Sequence, residues 1–187
     1  MKYTKNILWA LPLFTVLLFT ACEKDDPEIP NEEELITTLI YTLTPDGGGT
    51  PIEFRFTDLD GDGGNDPVIT TGTLAANTNY TGVITLLNET ESPADVISDE
   101  VAEEADEHQF FFQVSGANVT VAYADADDNG NPVGIESTVS AGDASTGTLT
   151  ITLRHEPNKS GNGVAAGDIT NAGGETDIEV TFQVVIQ

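Results

Sequence analysis

Apolar and polar residues alternate with a period of two along most of the chain after residue 34. The pattern runs through "LITTLIYTL" (35–43), "IEFRF" (52–56), "YTGVITLLN" (80–88) and "QFFFQV" (109–114). It continues through "NVTVAYA" (118–124), "GIESTVS" (134–140), "GTLTITLRH" (147–155) and "DIEVTFQVVIQ" (177–187). A period of two sends successive side chains to opposite faces, so each segment reads as a half-buried strand. In 52–56, for example, Ile52, Phe54 and Phe56 share one face, and Glu53 and Arg55 the other. The segments are rich in Thr, Val, Ile and Phe and are separated by clusters of Gly, Asn, Asp and Pro. About eight such strands without alternating helices predict an all-β fold. An antiparallel β-sandwich is expected, with barrel closure as the alternative.

One stretch departs from this period. "ESPADVISDEVAEEADEH" (91–108) has Ser92 as an N-cap candidate, Pro93 at the first helical position, and Ile97, Val101 and Ala105 four residues apart. That spacing predicts one short surface helix with a narrow apolar stripe. Its acids at 100, 103, 104, 106 and 107 oppose the helix dipole at the C-terminal end.

The N-terminus has a different pattern. "MKYTKN" carries two lysines, and "ILWALPLFTVLLFT" follows as an apolar run of fourteen residues. The run is too short to span a hydrocarbon core of about 30 Å, and its layout is that of a secretory signal peptide over residues 1–21. The boundary "FTAC" resembles the signal peptides of bacterial lipoproteins, in which the cysteine is acylated and becomes the first mature residue. Cys22 is the single cysteine of the chain, so no internal disulfide is available. Residues 22–34, "CEKDDPEIPNEEE", read as a solvated acidic tether leading into a sandwich domain over 35–187. "KDD" at Lys24–Asp26 resembles the export signal of surface lipoproteins of the Bacteroidota. These features imply an outer-membrane protein anchored by lipid, with display at the cell surface favoured over a periplasmic face.

Charge narrows the partners. All 32 acids lie after Cys22, against only Lys24, Arg55, Arg154 and Lys159, so the mature chain carries a formal charge of −28. Such a field repels nucleic acid and anionic lipid and attracts cations.

Candidate cation sites follow from the acids and histidines. "DLDGDGGND" (58–66) places Asp58, Asp60, Asp62 and Asp66 around glycines, as in repeating calcium loops. Ca²⁺ takes six to eight oxygens at about 2.3–2.6 Å, which alternate carboxylates in a curled loop supply. Residue 69 is Ile rather than a closing Glu, and a solvated Asp/Gly turn accounts for the same composition. "DADDNGNPVGIE" (125–136) matches a full EF-hand loop pattern but is flanked by strand-like alternation. There Asn129-Gly130 predicts a type I′ hairpin with Tyr123 opposite Glu136, which places Glu136 about 20 Å from the tip. His108 and His155 are the two histidines, and Glu104 lies four residues before His108. If folding joined them, two imidazoles and a carboxylate would suit zinc or another transition ion. The Gly/Asn-rich stretch 156–177 is long for a loop and carries Lys159, which suggests a recognition rim. No nucleophile elbow, H-E-x-x-H or phosphate loop occurs, so no enzyme is expected.

"DLDGDGGNDPVI", "LAANTNYTGVITLLNE", "EEADEHQFFF", "DADDNGNPVG" and "LRHEPNKS…GDIT…GGETDIEVTF" resemble a group of uncharacterised lipoproteins of Flavobacteria-like Bacteroidota. The resemblance covers most of 31–187, and some members are labelled a type 1 periplasmic binding fold. That label implies alternating strands and helices over a longer chain, whereas the periodicity here implies a sandwich. The combined expectation is a binding or accessory module beside an outer-membrane receptor or surface ligand, with structural calcium. A structural or adhesive coat protein is the alternative.

Overall fold

Among the described residues, ten strands and one α-helix carry the alternation into three dimensions. The computed structural model describes residues 35–61 and 63–187; the leader, Cys22, the tether and Asp62 lie outside the described residues. In chain order the elements are β1 (Thr38–Pro45), β2 (Ile52–Thr57), β3 (Val68–Thr70), β4 (Thr73–Leu74) and β5 (Thr78–Leu87). Then come α1 (Ile97–Glu103), β6 (His108–Ser115), β7 (Val119–Tyr123), β8 (Glu136–Ala141), β9 (Ser145–His155) and β10 (Glu175–Ile186). They form a six-stranded sheet, β3-β2-β1-β5-β8-β7, and a separate four-stranded sheet, β4-β10-β9-β6. Two distinct sheets make the fold a β-sandwich and not a closed barrel. The pairing is antiparallel apart from β4 on β10. The eight expected strands are all present. The two unforeseen ones, β3 and β4, have three and two residues, too few to display a period.

The inward faces interlock across the sandwich. Leu39, Tyr41, Leu43, Ile84 and Leu86 of one sheet meet Phe110, Leu149, Ile151, Leu153, Val180 and Phe182 of the other, all at 3% exposure or less. Burying each such side chain stabilises the fold by roughly 1.5–3 kcal/mol. Ring pairs span the layers, Phe54–Phe182 at 5.7 Å and Tyr41–Phe112 at 5.8 Å between centroids. The buried Tyr41 hydroxyl is bonded to that of Ser137 at 2.7 Å. Burial pushes the Tyr41 phenol well up, opposed in part by the Ser137 bond. Gly82 makes this pair possible, since a Cβ there would stand 2.6 Å from both hydroxyl oxygens.

The helix is shorter than its sequence suggests. It spans Ile97–Glu103, with Val96 as N-cap, so neither Ser92 nor Pro93 starts it. Asn88 and Asp95 exchange backbone hydrogen bonds first, closing 88–95 as a turn and delaying the helix. The apolar stripe is as expected: Ile97 and Val101 are buried and Ala105 packs on the core.

The loop that mimics an EF-hand is held by its own amides and by an internal ammonium. Asp125 accepts from the N–H groups of Gly134 (2.7 Å) and Glu136 (2.8 Å), and Asp127 from those of Asn129 and Asn131 (both 2.9 Å). Of Asn129 and Gly130, only Gly130 has a positive φ (84°), so the expected type I′ turn does not form. The Gly130 N–H donates to the Asp127 carbonyl and the Asp127 N–H to that of Asn131, a turn closed by a glycine bulge. That extra residue shifts the register, and Tyr123 pairs with Ser137 rather than Glu136.

Lys159 corrects another expectation, because it is 6% exposed and forms no surface rim. Its Nζ donates to Asp127 Oδ2 (3.1 Å) and to the carbonyls of Ala105 (2.5 Å) and Pro132 (3.0 Å). Burial by itself would raise the Asp127 carboxyl; the Asn131 amide, the Lys159 ammonium and the Asn129 amide outweigh it and hold Asp127 below the usual carboxylate range. The stretch 156–174 is correspondingly folded. Its two 3-10 turns, Val164–Ala166 and Ile169–Asn171, place Val164 and Ala172 on the outward-facing Phe111 as a second small core. Gln109 Nε2 donates to the Val164 carbonyl at 3.0 Å and fixes the contact.

Candidate metal centre

The two histidines meet at one end of the four-stranded sheet. β6 begins at His108 and β9 ends at His155, and the antiparallel register pairs these residues directly. Both belong to the inward-facing alternation, with Phe110 and Phe112 on one strand and Leu153 and Ile151 on the other. Their rings lie 4.6 Å apart, edge to face. His108 is buried, and its Nδ1–H donates to the Glu104 carbonyl at 3.1 Å. A carbonyl only accepts, so this bond places the proton on Nδ1 and turns Nε2 toward β10.

The third member is Asp177. Oδ2 of Asp177 stands 3.9 Å from His108 Nε2, with side-chain exposures of 12% and 1%. Ligand atoms of His108, His155 and Asp177 all lie within 4.8 Å of one another. Strict alternation would send Asp177 outward, because its neighbour Ile178 faces the core. A bulge decides otherwise: Thr176 pairs with Arg154 and Ile178 with Leu153, leaving Asp177 as the extra residue. The neighbouring backbone is tightly folded. Glu156 turns away from β9 with a φ of 48°, which few non-glycine residues adopt, and its N–H donates to the Glu107 carbonyl at 2.6 Å. Gly174 passes so close to the His155 carbonyl that a Cβ would overlap it.

Glu104 therefore leaves the candidate set. The helix ends at Glu103, so the helical spacing that would bring its carboxylate beside His108 does not persist. Glu104 is exposed and contributes its backbone carbonyl, not its carboxylate. A second convergence, Glu107, His155 and Glu156, lies on the adjoining surface and shares His155.

The 58–66 acids behave as turn residues where they are described. Asp58 Oδ1 accepts from the Gly61 N–H at 2.9 Å, and Asp60 Oδ2 accepts from the Asn65 N–H (3.1 Å) and its side-chain amide (2.6 Å). The Asn65 backbone and side chain hold Asp60 below the usual carboxylate range. Asp66 is exposed, and Asp62 lies outside the described residues. Among the described residues, the convergences of three ligating side chains are the two at His155, and neither includes this loop.

A groove of about 490 Å³ joins these regions. It is lined by Leu35, Ile36, Phe56 and Leu59, and by Asp58, Asp60 and Asp177. Its lining mixes apolar and acidic side chains and includes Leu35, the first described residue. Among the described residues, no helix is long and apolar enough to cross a membrane.

Comparison with known proteins leaves the assignment to this geometry: no family model, curated protein or solved structure matches the chain. The class that the fold defines is an all-β sandwich with one short helix. Among the described residues, ten strands with a single α-helix do not follow the strand–helix alternation that a type 1 periplasmic binding label implies.

Proposed function

We propose that this chain is an outer-membrane lipoprotein, anchored through Cys22 and displayed at the cell surface, whose sandwich is a binding or accessory module. The observation that carries the reading is the groove of about 490 Å³ lined by Phe56, Leu59 and Asp177. A concave site with an apolar lining and a few polar groups is the usual form of a small-ligand site. A coat protein needs no such feature. The leader, the lone cysteine and the "KDD" tether support the location. The mature charge of −28 supports a small ligand or a protein partner, such as an uptake receptor in the same membrane, over nucleic acid.

Metabolic labelling with a fatty acid in a lipoprotein-competent host tests the anchor. The native chain is expected to take up label and Cys22→Ser to take up none. Replacement of Lys24–Asp26 by alanines is expected to protect the domain from protease added to intact cells. Equal labelling of native and Cys22→Ser chains, or protease resistance of the native domain, would overturn the location.

A further inference from the structure

We propose that His108, His155 and Asp177 form a three-ligand site for a divalent first-row transition ion, with zinc as its type ion. The inference deepens the reading of this end of the sandwich as a binding site and does not depend on the lipid anchor. Two imidazoles and a carboxylate are a donor set that suits zinc and its neighbours; calcium and magnesium require oxygen. The ligands come from three adjacent strands of one sheet, a rigid platform, and their atoms already lie within 4.8 Å. Zinc bonds of about 2.0–2.1 Å at the tetrahedral angle separate two donors by about 3.3 Å. The 3.9 Å between His108 Nε2 and Asp177 Oδ2 is within about 0.6 Å of that spacing.

The Glu104 carbonyl adds the outer contact that such sites use. By holding the proton on Nδ1, it leaves the Nε2 lone pair directed at Asp177. At 3.9 Å that pair is too far apart for a hydrogen bond and spaced for an atom between them. His108 is enclosed, while Asp177 borders the groove and His155 is half-buried. Three protein ligands leave one tetrahedral position for water or for a donor group of a molecule in the groove.

The test uses the full chain in detergent micelles on a Cys22→Ser background, which removes the only thiol as a competing ligand. Zinc titration by calorimetry after chelator treatment is expected to show one tight site per chain. Co²⁺ is expected to give the intense visible bands of a tetrahedral nitrogen/oxygen site. Asp177→Asn preserves shape, and His155→Ala removes a half-buried ring. Each is expected to weaken zinc binding by about 100-fold or more, beyond the usual outer-contact loss of ten- to a hundredfold. Glu107→Gln with Glu156→Gln, and separately Asp60→Ala, are expected to leave it unchanged. The site would be refuted by absence of the one-to-one phase. Binding that survives Asp177→Asn, or that is lost with the Glu107/Glu156 pair, would equally refute it. Melting curves of the metal-free variants establish that each is folded, and fatty-acid labelling of the native chain reports the anchor independently.

Discussion

Lys159 occupies the position a bound cation would take. The neighbouring acidic loop has a calcium-loop spelling, yet Asp127 faces an ammonium, and its remaining oxygen serves backbone amides. Removing one partner of a buried pair leaves the other charge uncompensated. Lys159→Met is therefore expected to cost about 3–5 kcal/mol in urea unfolding, with Asp127→Asn added to it restoring part of the loss. A double variant as unstable as the sum of the singles would refute the coupling. The pH dependence has a definite sign. Asp127 is held below its unfolded value, so its contribution is complete above about pH 4 and is lost as pH falls through the lower folded value. The stability gap between native protein and Asp127→Asn should narrow as pH drops from 5 to 2. Nothing in the sequence marks Lys159 as internal, because a lysine in a Gly/Asn-rich stretch is ordinarily solvated.

Alternation located the eight longer strands because burial of one face requires it. The helix stripe at Ile97, Val101 and Ala105 was legible for the same reason. Element ends were less so: the helix start moved from Ser92 to Val96 because a backbone bridge between Asn88 and Asp95 competes for the same residues. Asp177 was hidden by the pattern itself, since alternation with Ile178 assigns it outward until a bulge breaks the register. Gly173-Gly174 just before β10 was the one available hint of irregular backbone there. The 156–174 segment teaches the converse, as a loop-like composition conceals a packed element. Its docking depends on Phe111, which contacts Val164 and Ala172 on the outer face. Phe111→Ala is expected to lower stability by about 3–5 kcal/mol. It should also accelerate amide exchange across 164–172 while the β9–β10 amides stay protected. Equal acceleration in β9 would show that this small core is not a separable unit.

For the whole molecule, the formal charge of −26 is the dominant long-range term. Self-repulsion of this size opposes the compact state, and salt screens it over about 10 Å at 0.1 M. The melting temperature in chelator should therefore rise between 10 and 200 mM NaCl; a flat or falling curve would show that local pairing already neutralises the field. Such a field attracts cations.

The sequence by itself determined the all-β class, the approximate position of each long strand and the acidic composition. All of these reside in local order: period-two burial and net charge. The tertiary structure alone decided which acids are internal braces and which ligating groups converge. His108 and His155 are 47 residues apart in the chain and become neighbours through antiparallel register. Asp177 joins them through one inserted residue in a third strand. Such proximity is set by strand pairing and bulge position, which depend on the packing of the whole core and leave little local trace in the chain beyond Gly173-Gly174.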